Sequence, residues 1–366
     1  MANVSRQFGV LASHRLEGTY RFKDKFQLLP SAFESKMVLQ DHPLILEVCF
    51  DSEAWPNRPN DGWYRDQLEQ ERYEHLTSNL GDQPSDSESS WLETYQQTTE
   101  MRRPGAIVSE IVSLLTLFTN FNFQHSNSVS QSWFVQPLAG DPEPIWGQKW
   151  YSFDEYTHGV ELTLSSAAKA SFIPYKEYYS AIKGAVYAGG ENLISLPDNI
   201  DVLFQFYFSL PSVRKEGFHK ACHFYCKTLE LASSSASLSL VSSVMAIEAL
   251  VHLESDKSKS CDVCGTPEYI ETCQSCGSPT YRATSRFKNF IVKHTTDTSE
   301  MKKFAQRLYH TRSRLAHGGL LRDDLHDTGF YVSEKEEEEQ LRRSARDVTR
   351  IVLINWLLRI GSEVTS

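Results

Sequence analysis

Arg312, Ser313, Arg314 and His317 fall within one short string, RSRLAHGG, at residues 312–319. Arginine offers a planar, permanently charged fork that fits a phosphate or a carboxylate. Histidine is the side chain that gives and takes protons near neutral pH. Together they suit phosphate-ester chemistry, with arginine stabilising charge and imidazole moving the proton. The same string also reads as a helix end, with basic residues near the negative end of the dipole and glycine to stop it. On an ideal helix positions 312 and 317 lie about 140° apart. One helix therefore does not readily bring both side chains to one phosphate. Either the helix ends at His317 and Gly318 turns the chain, or two copies of the helix meet at a two-fold axis and pool their residues.

A second group with chemistry in it is CDVCGTPEYIETCQSCG. Cys261 and Cys264 form one pair two residues apart, and Cys273 and Cys276 form another. Each pair can grip one side of a tetrahedral ion, and the glycines that follow, Gly265 and Gly277, ease the turns. Four thiolates leave no open coordination position, so the expected metal is structural Zn2+ rather than a catalytic ion. Cys222 and Cys226 are four apart on a helical stretch and read as core packing.

The elements that carry these residues are helical. The stripe Met301, Phe304, Ala305, Leu308, Leu315 and Ala316 defines a helix over 299–317, with Tyr309 and Arg312 on or beside its apolar face. Upstream, 238–254 places Leu240, Val244, Ile247 and Val251 at spacings of three and four. Further helices are expected over 212–232 and 284–294, and another after Pro197 and Asp198. A terminal helix should open at Ser333 and Glu336 as a capping box and run to Gly361. The EEEE run at 336–339 falls in its first turns, where the dipole favours anions, and reads as a solvated acidic start. The first half is different. Segments 37–50, 131–138 and 159–166 read as strands, 105–118 as a helix after Pro104, and 78–90 and 139–148 as loops. The expected class is α+β. A mixed α/β domain over 1–170 precedes an all-α bundle over 171–366, with a small zinc-ribbon insert at 256–280.

The chain has 366 residues, is 40% apolar and carries a net charge of −10. That charge argues against a uniformly basic nucleic-acid binder but leaves room for a local patch. Such a patch exists. Residues 281–322 hold ten Lys and Arg against Asp297 and Glu300, a concentration that attracts a phosphate backbone. No secretory leader is visible, and the apolar runs near 107–118 and 351–358 are too short or interrupted to span a bilayer. A cytoplasmic chain with reduced thiols and no membrane partner is expected.

The string Tyr309-x2-Arg312-Ser313-x3-His317-Gly318 resembles the R-x4-6-H motif of the HEPN superfamily, in its Apea-like branch. Ala246-Ile247-Glu248-Ala249-Leu250 is similar to the glutamate helix upstream of that motif. The resemblance covers about residues 195–360, and the four-cysteine insert departs from the simplest such domain. It implies a helical bundle that cleaves RNA as a homodimer, with no cofactor for catalysis. The nucleophile would be the substrate's own 2′-OH, and the products a 2′,3′-cyclic phosphate and a 5′-OH. Arg312 would bind the scissile phosphate, His317 would transfer protons, Ser313 would orient either, and Glu248 would align Arg312. Tyr309 and Arg314 would contact the RNA. The resemblance further suggests a toxin or antiviral-defence effector, its N-terminal domain responding to a phage- or stress-derived ligand. A second reading, of another class, is a non-catalytic dimerisation module that binds nucleic acid or protein through the zinc knuckle and the basic helix.

Overall fold

The structure is a computed structural model that describes residues 4–30, 42–50, 105–125, 162–165, 168–180, 193–254, 283–321, 323–324 and 332–365. The expected strand at 131–138, the loops at 78–90 and 139–148, and the insert at 256–280 lie outside the described residues. The chain forms two compact units, Met1–Phe204 and Gln205–Ser366. The division lies further along than the expected 170/171 boundary.

The first unit is built on an antiparallel sheet. Its strands are β1 (Val4–Ala12), β3 (Tyr20–Phe22), β4 (Phe26–Pro30), β5 (His42–Phe50) and β6 (Phe123–His125). They run in the order β3-β4-β5-β1-β6. The long β1–β5 ladder pairs Val4 with Phe50 through to Ala12 with His42. Helix α1 (Gly105–Thr119) is buried almost all round, as its near-continuous apolar sequence requires. Two short parallel ladders complete the unit. They join β2 (Arg15–Leu16) to β8 (Leu193–Ile194), and β7 (Phe172–Ile173) to β9 (Leu196–Pro197). Between them lies the short helix α2 (Tyr175–Ser180).

Residues 193–204 belong with this unit because of an aromatic cluster around Phe204. The rings of Phe22, Phe26 and Phe118 lie 5.2, 5.0 and 5.1 Å from it. Tyr20 is buried beside them and donates its hydroxyl to Asp201 at 2.9 Å. Burial, then the Asp201 charge and hydrogen bond, push its phenol well above the ordinary value.

Segment 159–166, expected as a strand, has no strand among its described residues 162–165. The reason is Glu47, which is fully buried on β5. Its carboxylate accepts the Thr163 amide at 3.0 Å, the Thr163 hydroxyl at 2.8 Å and Gln27 Nε2 at 2.6 Å. A backbone donor that a strand would give to its neighbour goes to a side chain instead.

The second unit is helical. It holds the second half of α3 (Ile200–Ser209), then α4 (Ser212–Glu230), α5 (Ala236–Glu254), α6 (Ala283–His294), α7 (Ser299–Ala316) and α8 (Val332–Thr365). The α+β class therefore holds. Among the described helices, α5 alone is long and apolar enough to cross a membrane. Here it is the centre of the bundle, packed on α4, α6, α7 and α8. Leu240, Val244, Ala246, Ile247 and Leu250 are fully buried on it, and Cys222 and Cys226 of α4 lie in the same core.

Three helix ends differ from expectation. Pro197 lies in β9, and Asp198 accepts the Tyr175 amide at the start of α2, at 2.8 Å; α3 itself starts at Ile200. Helix α8 starts at Val332, so Ser333 already has helical backbone and is not the cap. Gly361 does not stop α8, which continues to Thr365. The glycine serves a close approach: a Cβ there would lie 2.3 Å from Cγ of Phe206.

Candidate active site at the end of helix α7

Helix α7 begins with Thr298, whose hydroxyl accepts the Met301 amide at 3.2 Å. Ala305, Leu308 and Leu315 bury its apolar face, whereas Ala316, expected on that stripe, is exposed. The helix ends in the turn that RSRLAHGG implies. His317 is the cap residue, and Gly318 takes a left-handed φ of +94°. The Gly319 amide donates to Arg314 O at 3.1 Å and the Gly318 amide to Leu315 O at 3.2 Å. These two bonds form a Schellman motif. The motif accounts for both glycines. It uses neither the His317 imidazole nor the Arg312 guanidinium.

Arg312 faces α5. Its Nη2 donates to Glu248 Oε2 at 2.9 Å, with the two side chains 30% and 21% exposed. Its guanidinium carbon lies 6.0 Å from the centroid of the Tyr309 ring. That ring in turn packs on Phe287 of α6 at 5.2 Å. The site thus has a scaffold from three helices. One carboxylate oxygen cannot saturate a guanidinium with five N–H donors. Arg312 Nε is buried and has no hydrogen-bond partner among the described residues. The arrangement holds a cation rigidly and leaves it donors for an anion.

His317 is exposed, and its ring makes no hydrogen bond or ion pair among the described residues. Ser313 is half-buried, and its carbonyl accepts the His317 amide at 3.3 Å. Arg314 is exposed and pairs with Glu338 of α8 at 3.3 Å. Arg312, Glu248 and Tyr309 are brought together. Arg312 and His317 share the end of one helix but leave it on different sides. Cys261, Cys264, Cys273 and Cys276 lie outside the described residues, and the remainder contain no group of three or more metal-ligating side chains.

Two acidic residues at the ends of α5 have no signal in the sequence. Beyond the Schellman turn the chain doubles back to the start of α5, where the Leu321 amide donates to Ser237 Oγ at 2.8 Å. Asp324 then accepts the Ala236 and Ser237 amides at 2.7 and 2.8 Å. Burial raises its pKa, but the bonds from Ser237, Ala236 and Ser235 outweigh this and hold it below the usual value. At the other end of α5, Glu254 accepts Lys293 at 2.6 Å, His294 at 3.2 Å and Arg359. Burial pushes this carboxyl up, and its hydrogen bonds with the charges of His294 and Arg359 override that and bring it to about 2.

Compared with known protein families, with characterised proteins and with solved structures, the chain matches none.

Proposed function

We propose that the C-terminal unit is an endoribonuclease of HEPN type that acts as a homodimer and needs no metal for the chemical step. The observation that carries this reading is the Arg312–Glu248 pair. It holds a half-buried arginine, with donors to spare, on the helix that ends in His317. In the proposed reaction Arg312 binds the scissile phosphate and stabilises the charge that builds on it. The imidazole of His317 moves protons between the 2′ and 5′ oxygens, with Ser313 orienting the phosphate or the ring. The 2′-oxygen attacks phosphorus, the bond to the 5′-oxygen breaks, and the proton lost from the 2′-OH is matched by one gained by the leaving 5′-oxygen. Tyr309 and Arg314 contact the strand. Because Arg312 and His317 diverge on one helix, a second copy of α7 across a two-fold axis completes the site. Cys261, Cys264, Cys273 and Cys276 hold a structural Zn2+ in the insert, and the N-terminal unit answers a phage- or stress-derived ligand in the cytoplasm.

The deciding experiment is incubation of the protein with total RNA in EDTA, followed by end-group analysis. Cleavage that leaves 2′,3′-cyclic phosphate and 5′-OH ends is expected. His317→Ala should reduce it by about 10² to 10⁴-fold with RNA affinity little changed. A substrate with 2′-deoxy at the cleavage position should resist. Cleavage of that substrate at the normal rate, or full activity in His317→Ala, would refute the chemistry and leave the binding-module reading in its place.

A further inference from the structure

Helix α7 carries a second feature, on a different side from Arg312. Lys303, Arg307, His310, Arg314 and His317 follow one another at spacings of four, three, four and three. On an ideal helix they fall within about 80° of arc, forming a stripe about 21 Å long. All five are exposed. Arg312 lies well off this stripe, by about 160° from Arg314. The stripe is faced by the acidic first turns of α8. Arg307 Nη2 lies 3.1 Å from Glu337 Oε2, and Arg314 Nη2 lies 3.3 Å from Glu338 Oε1. A cleft of about 370 Å³ opens among Arg307, His310, Arg314, Glu337 and Glu338.

Two adjacent glutamates thus occupy two arginines that stand two helical turns apart on a basic stripe. The Arg307–Glu337 pair is exposed on both sides, and in the Arg314–Glu338 pair the arginine is exposed while Glu338 is half-buried. Water and salt screen such pairs, so they contribute little to stability. They are easily exchanged for another anion. A phosphate accepts both prongs of a guanidinium, and a strand that docks along several cations also releases its counterions.

We propose that Lys303, Arg307 and Arg314 of this stripe are a track for the phosphate backbone of a single nucleic-acid strand, and that Glu337 and Glu338 are its built-in competitor. The strand binds by displacing their carboxylates from Arg307 and Arg314. The identity of the strand as RNA rests on the function proposed above; the displacement does not.

The test is binding of a fluorescent single-stranded 2′-O-methyl oligonucleotide, which the proposed chemistry cannot cut, across a range of salt. Relative to wild type, E337Q/E338Q should bind about tenfold tighter. Its log–log salt slope should stay near that of wild type, because the same two arginines meet phosphate in both complexes. Adding R307Q/R314Q should abolish the gain. D24N/E177Q removes the same charge from the N-terminal unit and should leave affinity near wild type. If E337Q/E338Q is not folded by circular dichroism, E337Q and E338Q separately should each bind about threefold tighter. Unchanged affinity in the Gln variants, or an equal gain in D24N/E177Q, overturns the proposal. Ribonuclease assays separate the two readings. Tighter binding without cleavage of all-RNA substrate by any variant leaves the competitor standing and removes the nuclease. Cleavage with unchanged affinity does the reverse.

Discussion

Arg312 stands in a position where the shape of its charge matters as much as its sign. Its fork gives one nitrogen to Glu248 and keeps further donors for a ligand. A lysine has three donors on a point charge and cannot grip a carboxylate and a phosphate in that planar arrangement. Arg312→Lys is therefore expected to retain weak RNA binding but lose most cleavage, read as a fall in kcat greater than the rise in KM. Arg312→Ala should in addition destabilise the fold by about 1–2 kcal/mol, because it leaves the Glu248 carboxylate half-buried without its cation; denaturant titration measures this. Glu248→Gln, which can still accept from the guanidinium, should be the milder variant in both assays. A Glu248→Gln protein as inactive as Arg312→Ala would show that the carboxylate's charge, and not its position, is what the site requires. At this scale the sequence carried much of the information. Arginine, histidine and the two glycines announced the helix end, and they suggested the chemistry proposed above. Which acid meets Arg312 is a matter of how α5 and α7 pack, and no spacing within α7 contains it.

Among the elements, α5 depends on a residue far along the chain. Its first amides are capped by Asp324, and the same turn returns the chain from His317. Asp324→Ala should cost about 1–2 kcal/mol, the usual loss for a deleted helix cap. Asp324→Asn, which keeps an accepting oxygen, should cost less. Because the carboxyl's pKa is lowered in the folded chain, its contribution is present above the ordinary carboxylate range and is lost as pH falls below it. Urea titration of wild type and both variants at neutral and acid pH checks the order; an Asp324→Ala protein as stable as wild type would discount the cap. The helices themselves were legible because their apolar residues recur at three and four. Their ends were less so. Gly361 looked like a stop and is instead an opening for Phe206, a fact of tertiary contact. Segment 162–165 has the residue types of a strand, yet a buried carboxylate from β5 takes its backbone donor. In both places a distant partner overrode the local preference.

The helical unit is tied at one end by Glu254, which closes α5 and gathers Lys293 and His294 from α6 and Arg359 from α8. Partners 40 and 105 residues away meet at this one carboxylate, so nothing in its neighbourhood in sequence points to it. The expected consequence is an acid-labile unit. The folded carboxyl sits at about 2, below the ordinary glutamate value of about 4.3. The folded state thus holds this group ionised more strongly than the unfolded chain does. Its stabilisation is complete above about pH 4.5 and drains away as pH falls toward 2. Glu254→Gln removes the titrating group and leaves Lys293 and Arg359 without their anion, beside His294. It is expected to lower stability at neutral pH by on the order of 2 kcal/mol and to flatten the fall in acid. The measurement is the urea midpoint from neutral pH down to about pH 3, followed by far-ultraviolet circular dichroism. Parallel curves for the two proteins would mean that other carboxylates, not Glu254, set the acid limit. A wild type that loses stability steeply below about pH 4.5, beside a variant that is weaker at neutral pH and nearly level below it, would identify this junction as the point where acid opens the bundle.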